Sequence, residues 1–161
     1  MSMSFKKIAL VVLPAAVLAL GLGGCGEEEP SRDYAPTKDS SGASGPKVTT
    51  RSSDAGTILA DSSGRAFYVF SKDEDGVSNC KDACLGAWPP ATISGDPVAA
   101  GDAEQSKIGT IKLASATQLT YDGRPLYYYV KDKKPKYVRG NGVKSFDGTW
   151  STVKPSGDPT G

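Results

Sequence analysis

The sequence predicts a mainly β fold in which two related β-hairpin-containing repeats form one small β-rich domain with few short helical turns. A segment beginning at Gly64 recurs without gaps at Gly123, an offset of 59 residues, and Gly, Arg, Tyr, Lys and Asp coincide in the two copies. Each copy follows a short β-prone run that ends in a turn signal. No part of the sequence carries the apolar stripe of a long helix.

The predicted hairpins rest on turn chemistry. Asp122-Gly123 lies between two β-prone runs, which is the sequence of a two-residue type I′ turn. The longer loop Asp61–Gly64 stands at the matching place in the first repeat. The strands that follow, beginning at Phe67 and Leu126, are apolar on both faces, which is typical of strands covered on both sides.

Three further elements complete the expected fold. Thr149–Val153 is expected to form a further strand. Asn79–Gly86 and Asp102–Ile108 are each expected to form a helical turn or two.

The N-terminal residues 1–24 have the pattern of a signal peptide. Two lysines precede an uncharged run from Ile8 to Gly24, as in a secretory n-region and h-region. Leu22-Gly23-Gly24-Cys25 resembles the bacterial lipobox, whose cysteine is lipidated and becomes the first mature residue. We therefore expect palmitate-type acylation of Cys25 and anchoring on the extracytoplasmic face of the bacterial cell membrane. A membrane-spanning segment is the alternative, but a cysteine directly after small residues favours the lipobox.

Composition divides the remainder of the chain. From Gly26 to Ala55 the only bulky apolar residues are Tyr34 and Val48, so this stretch is expected to be a flexible tether. The predicted organisation is a lipidated cysteine and tether at 25–55, a two-repeat domain at 56–154 with repeats at about 56–100 and 105–154, and a disordered tail at 155–161.

Composition also excludes several function classes. The chain has no histidine, three cysteines, and 19 basic against 18 acidic residues. These counts exclude histidine-based catalysis, histidine-ligated metals and four-thiolate metal sites. A net charge of +1 gives no reason to expect nucleic acid as a partner. Because no nucleophile–base pair can be named, the sequence favours a non-enzymatic role without a metal or other cofactor.

Both repeats contain the pattern Tyr-x-(Phe/Trp/Tyr)-x-x-Asp. Its residues are Tyr68, Phe70 and Asp73 in the first repeat and Tyr127, Tyr129 and Asp132 in the second. With Cys80-x-x-x-Cys84, Trp88-Pro89-Pro90 and the lipobox, this pattern resembles a bacterial lipoprotein family described as secreted repeats of unknown function. The resemblance covers 56–153 and implies a cell-envelope lipoprotein. In many members a histidine occupies the place of Arg124.

Cys80 and Cys84 permit two interpretations. In an oxidising compartment a structural disulfide is the usual outcome, and residues four apart on a turn can bring their Cα atoms within reach of one. The alternative is a redox-active dithiol. The matched residues Asp73 and Asp132 are expected to accept backbone N–H groups at strand ends. The loop Asp73–Gly76 superficially resembles a calcium loop, but a solvated turn is the preferred interpretation because the glutamate that an EF-hand requires is missing.

Two groups of side chains are candidates for binding. The aromatic candidates are Trp88, Tyr128 and Trp150, and the basic candidates are Lys133, Lys134 and Lys136. The aromatic rings could stack on a ligand, although a small domain poor in Leu and Ile needs aromatic residues for its core. The lysines could bind an anionic envelope polymer or lipid headgroups, or they could protect a solvated strand edge.

Two functions therefore remain. The first is a lipid-anchored envelope module that binds an envelope protein, an anionic polymer or a small ligand. The second is a redox or electron-transfer accessory that uses the cysteine pair or the aromatic cluster.

Overall fold

The computed structural model describes residues 45–161, which form a mainly β domain. Along the chain its elements are β1 (Lys47–Ser53), β2 (Gly56–Asp61), β3 (Tyr68–Phe70), α1 (Ala83–Ala87), β4 (Thr92–Ile93), β5 (Val98–Ala99), a 3₁₀ turn (Gln105–Lys107), β6 (Ile108–Lys112), β7 (Thr117–Tyr121), β8 (Arg124–Pro125), β9 (Val143–Ser145) and β10 (Gly148–Thr152). Three small sheets result, with the strand orders β2-β1-β5, β3-β10-β9 and β4-β7-β6, and β8 pairs with β7. The predicted fold class is confirmed.

Each repeat contains an antiparallel hairpin, β1–β2 in the first and β6–β7 in the second. The Asp122-Gly123 turn connects β7 to β8, and both of its residues have positive φ, 50° and 74°. This is the conformation that a type I′ turn requires. In the first repeat the Asp61 carboxylate accepts the backbone N–H groups of Ser63 and Arg65, each at 2.9 Å, which stabilises the longer loop.

The domain begins earlier than the sequence predicted. β1 lies inside the segment that we expected to be a tether, and Val48 is fully buried. One buried valine is enough to hold this strand in the domain because β1 pairs with β2 from Val48 to Ser53, and at its start with β5. The backbone of this threonine- and serine-rich strand is thus satisfied by its neighbours. The signal peptide, Cys25 and the earlier part of the tether lie outside the described residues.

The C-terminal residues were predicted to be disordered, and this prediction is wrong. A turn returns the chain so that Pro159 forms a β-bridge with Val153, and the N–H of Thr160 donates to the carbonyl of Thr152 at 2.9 Å. Gly157 permits the turn with φ of 96°. The composition of this segment resembles that of a frayed end, but the buried strand β10 provides a surface on which it pairs.

The buried side chains form two clusters. The aromatic cluster holds Ile58, Ala66, Tyr68, Phe70, Cys80, Cys84, Trp88, Tyr127, Tyr129 and Trp150. The aliphatic cluster holds Val48, Leu59, Phe67, Val69, Ala91, Leu119, Tyr121, Leu126 and Val153. Strand β3 contributes to both clusters because its side chains alternate between two covered faces, as the sequence predicted. Within residues 45–161, no helix has the length and apolar character needed to cross a bilayer.

Candidate functional site

The two copies of the repeated motif meet at their first tyrosines. The N–H of Tyr68 donates to the carbonyl of Tyr127 at 2.9 Å, and the N–H of Tyr127 donates to the carbonyl of Tyr68 at the same distance. This antiparallel bridge places the two motif segments side by side, running in opposite directions. An approximate two-fold axis therefore relates the two repeats, and each contact from the first repeat to the second is expected to have a counterpart from the second to the first.

Four buried rings form a continuous stack across this axis. Their order is Phe70, Trp150, Trp88 and Tyr129. The ring centroids are 4.3, 3.9 and 4.1 Å apart, and the two indoles are within 3° of parallel. None of the four residues is more than 8% exposed. Contacts between aromatic rings stabilise a core beyond the area that they bury.

Each tryptophan packs on the motif of the other repeat. Trp150 lies opposite Phe70 in the register of β10 and β3. Trp88 is held beside Tyr129 because the N–H of Tyr128 donates to Pro89, at 2.9 Å, and that of Val130 donates to Ala87, at 3.2 Å. The repeats are interlocked, and neither could complete its part of the core alone.

At one end of the stack, Tyr68 and Asp132 join the two repeats. The Tyr68 hydroxyl donates to Asp132 Oδ2 at 2.6 Å, and Asp132 Oδ1 accepts the N–H of Arg139 at 2.9 Å. Burial raises the pKa of Tyr68 above its ordinary value, and the hydrogen bond to Asp132 raises it further by a smaller amount. Gly140 closes this end, because a Cβ there would come within 2.8 Å of the rings of Trp88 and Tyr68.

At the matching end, Tyr127 and Asp73 are arranged differently. The Tyr127 hydroxyl donates to Ser78 Oγ at 2.7 Å, and Asp73 Oδ1 accepts the N–H of Asn79 at 2.7 Å. Asp73 Oδ2 is buried and has no hydrogen-bond partner among the described residues. Burial raises the pKa of both Asp73 and Tyr127. Asp73 and Asp132 thus each accept a backbone N–H group, as the sequence predicted.

Cys80 and Cys84 form a disulfide, with their Cα atoms 5.3 Å apart. Both belong to the aromatic cluster, and they are only 3% and 4% exposed. Thiol–disulfide exchange needs access to a sulfur atom. The geometry therefore favours a structural disulfide that supports the segment leading to Trp88.

The aromatic residues that we considered for binding are not available for it in this structure. Trp88 and Trp150 are 1% and 0% exposed, so they cannot stack on a ligand from solvent. The half-buried Tyr128 is covered as well, since the Arg65 guanidinium lies 3.9 Å over its ring and its hydroxyl donates to Asp61 at 3.0 Å. A domain with few leucines and isoleucines fills its core with these rings.

A basic groove adjoins the Tyr68–Asp132 end of the stack. It has a volume of about 680 Å³, and its charged side chains are Arg51, Asp54, Lys136 and Arg139. The Arg139 guanidinium lies 4.2 Å over the ring of Tyr137, a cation–π contact that holds it in place.

The exposed lysines that precede the groove on the same loop are Lys131, Lys133 and Lys134. Sequence reasoning found the lysines but missed Arg51, because β1 was assigned to the tether. It did not predict that these lysines adjoin a groove.

The acidic loop Asp73–Gly76 is a turn in which Glu74 and Val77 are bridged. Within the described part of the chain, no group of three or more Cys, Asp and Glu side chains is placed to hold a metal ion.

Comparison with known proteins agrees with the repeat architecture. The family model described as a secreted repeat of unknown function matches residues 49–92 and 115–154. Each matched segment contains one copy of the motif and one tryptophan of the stack. No curated protein and no solved structure matches the chain. This chain therefore belongs to the family of secreted repeats of unknown function.

Proposed function

We propose that this protein is a lipid-anchored, extracytoplasmic and non-enzymatic module that binds an anionic polymer of the cell envelope through the basic groove. The observation that carries this proposal is the groove itself. Two guanidinium groups and one ammonium group line it, and Asp54 is its single acidic side chain.

Charge and size both support an anionic ligand. The whole chain has a net charge of only +1, so the basic character of the groove is a local concentration and not a property of the entire surface. Guanidinium groups bind carboxylate and phosphate in a bidentate manner. A volume of about 680 Å³ lies within the range of ligand sites, and the lysines of the preceding loop extend the basic surface for a longer polymer.

The position of the predicted acylation site supports the anchoring part of the proposal. Fully extended, the chain between Cys25 and Gly45 spans at most about 70 Å. A domain attached in this way stays near the membrane and within reach of surface polymers. Several acyl chains on one residue anchor a protein more stably than a single chain does.

Binding is tested with two probes, a phosphodiester polymer (teichoic acid) and a carboxylate polymer (polyglutamate), at low and at physiological salt. We expect the triple variant Arg51→Gln, Lys136→Gln and Arg139→Gln to weaken binding by about tenfold or more, because it removes the cations of the groove. The matched control replaces the exposed residues Lys72, Lys112 and Lys154 with Gln. Equal losses in both triple variants, or no binding by the wild-type protein, would contradict the proposal.

Anchoring is tested separately with Cys25→Ala. Metabolic labelling with a palmitate analogue is expected to mark the wild-type protein in the membrane fraction and to leave the variant unlabelled. Labelling of the variant, or its unchanged membrane association, would overturn the lipidation site without bearing on the groove.

A further inference from the structure

The Tyr68–Asp132 pair combines a phenol, a carboxylate and an aromatic stack in one buried site. The phenol ring lies 5.4 Å from Trp88 and 6.3 Å from Tyr129, edge-on to both. Asp132 is 8% exposed, and Tyr68 is fully buried. From this geometry we infer that Tyr68 is a proton-coupled one-electron donor, with Asp132 as its proton acceptor and soluble one-electron oxidants as its reactants.

The stack gives the electron a route out of the core. Tryptophan and tyrosine are the side chains most readily oxidised by one electron, and centroid separations of 3.9 and 4.1 Å place Trp150, Trp88 and Tyr129 in direct contact. Tyr129 is the most exposed ring of the stack, at 8%. An oxidant that meets Tyr129 at the surface therefore withdraws an electron from a set of coupled rings.

Proton transfer determines which residue remains oxidised after the electron has left. An oxidised ring that cannot release its proton remains a cation in a low-dielectric core, which is costly. Among the described residues the buried Nε1 of Trp150 has no hydrogen-bond partner, so this indole has no acceptor for its proton. Tyr68 has one, since its hydroxyl lies 2.6 Å from Asp132 Oδ2.

The step balances within the pair. The oxidant takes one electron from Tyr68, the phenolic O–H bond breaks, and the proton forms a new O–H bond on Asp132 Oδ2. The products are a neutral tyrosyl radical, a protonated Asp132 and the reduced oxidant. Asp132 Oδ1 keeps its hydrogen bond from the N–H of Arg139, so the carboxyl group stays in position while its charge changes.

The second repeat supplies an internal control. Tyr127 occupies the matched position and lies edge-on to Trp150 at 5.2 Å. The Asp73 carboxylate is near enough to raise the pKa of Tyr127, but the Tyr127 hydroxyl donates to Ser78 and not to that carboxylate. A neutral serine hydroxyl is a far weaker base than a carboxylate. Tyr127 is therefore expected to form the radical less readily, although its ring is equally close to the stack.

The experiment is flash photolysis of the full-length protein in detergent, with photogenerated tris(bipyridine)ruthenium(III) as the one-electron oxidant. The tyrosyl radical is followed by its absorption and by electron paramagnetic resonance. All proteins compared carry Tyr128→Phe, because the Tyr128 hydroxyl also donates to a carboxylate, that of Asp61. In this background we expect Tyr68→Phe to lower the radical yield by about tenfold and Tyr127→Phe to change it by less than about twofold. Both substitutions keep the ring and remove only the hydroxyl group, so the stack is retained.

A second pair of variants tests the acceptor. Asp132→Asn is expected to slow radical formation by about tenfold, whereas Asp73→Asn leaves its rate unchanged. In heavy water the Tyr128→Phe parent should form the radical more slowly, and Tyr68→Phe should show no such slowing. If Asp132→Asn fails to fold, the Tyr68→Phe and Tyr127→Phe pair still decides the question. Equal yields in those two variants, or a parent rate unaffected by heavy water, would overturn the inference.

Discussion

The two ends of the aromatic stack contain the same motif residues, a tyrosine and an aspartate, but these residues have different hydrogen-bond partners at each end. At one end Asp132 bonds through both of its oxygens, to Tyr68 and to the N–H of Arg139. At the other end Asp73 accepts one N–H group, and its second oxygen is buried without a partner among residues 45–161. Identical motif residues therefore do not ensure identical chemistry, because each carboxylate accepts hydrogen bonds from a loop outside the motif.

The loops differ for a physical reason. In the second repeat Gly140 lets the backbone approach the rings of Tyr68 and Trp88 closely, and its N–H lies 3.3 Å from the Tyr68 hydroxyl. In the first repeat the loop carries a disulfide and presents Ser78 to the matching tyrosine. Close backbone approach produces a tightly bonded pair, whereas at the other end the tyrosine hydroxyl donates to Ser78 and not to the nearby carboxylate of Asp73.

The largest expected loss of stability tests the feature that the two repeats share, a tryptophan in the middle of the stack. Trp88→Ala and Trp150→Ala should each lower the free energy of unfolding by about 3–5 kcal/mol, because each removes a buried ring from the middle of the stack. Chemical denaturation measures both, with Leu85→Ala as a surface control, since Leu85 is 40% exposed. Costs for the two tryptophans that differ by more than about 2 kcal/mol would contradict the reciprocity of the stack.

The next effect tests how the two ends differ. Asp132→Asn should cost about 2–3 kcal/mol, because an amide NH₂ would face a donor and the charge-assisted bond from Tyr68 would be lost. Asp73→Asn should cost less than about 1 kcal/mol, since the amide oxygen can still accept the N–H of Asn79 and a poorly paired buried charge is removed. Urea denaturation of both variants checks this order. Equal costs would show that the unpaired Asp73 oxygen is satisfied in solution.

The disulfide distinguishes the two loops. Cys80→Ala with Cys84→Ala should lower the free energy of unfolding by about 2 kcal/mol, the loop-closure value for so short a ring. The native disulfide should resist mild reductants because both residues are buried. Thiol titration of the folded and the denatured protein measures this resistance. Rapid reduction of the folded protein would instead support the redox-active interpretation of the pair.

The smallest effect appears at high pH and is shared by both ends. The pKa values of Tyr68 and Tyr127 are raised in the folded state, so their contribution to stability is complete below the unfolded pKa of about 10 and is lost as the pH rises above it. At pH 10 each tyrosine should lower the free energy of unfolding by about 0.4 kcal/mol. Denaturation at pH 8 and pH 10 measures the loss, and Tyr68→Phe and Tyr127→Phe should each reduce it equally. An unchanged pH dependence in either variant would show that its hydroxyl ionises in the folded protein.

Local sequence was sufficient for several features of the fold. The Asp122-Gly123 turn follows from the conformational preferences of these two residues, which do not depend on the remainder of the chain. The repeat at an offset of 59 residues predicted two related units. The placement of Cys80 and Cys84, four residues apart, made a disulfide sterically accessible before any partner was known.

Sequence reasoning was weakest where pairing compensates for a polar composition. β1 contains one buried apolar residue, Val48, and the C-terminal segment pairs through Pro159 and Thr160. Neither segment carries enough hydrophobic residues to be recognised alone. Their backbone groups are satisfied by pairing, of β1 with the neighbouring β2 and with β5, and of the C-terminal segment with β10 and Val153, and composition does not reveal such pairing. The basic groove was missed for the same reason, since Arg51 lies on β1.

The β class, the two repeats, the exclusion of histidine chemistry and the residues of the motif could all be predicted without coordinates, because they depend on residue identity and short-range spacing. The contacts between repeats required the folded structure: Trp88 stacks on Tyr129 of the second repeat, and Trp150 stacks on Phe70 of the first. The same is true of the hydroxyl partners, Asp132 for Tyr68 and Ser78 for Tyr127. The physical reason is that a repeat specifies which contacts each unit can make, whereas the packing of one unit on the other decides which copy supplies the partner.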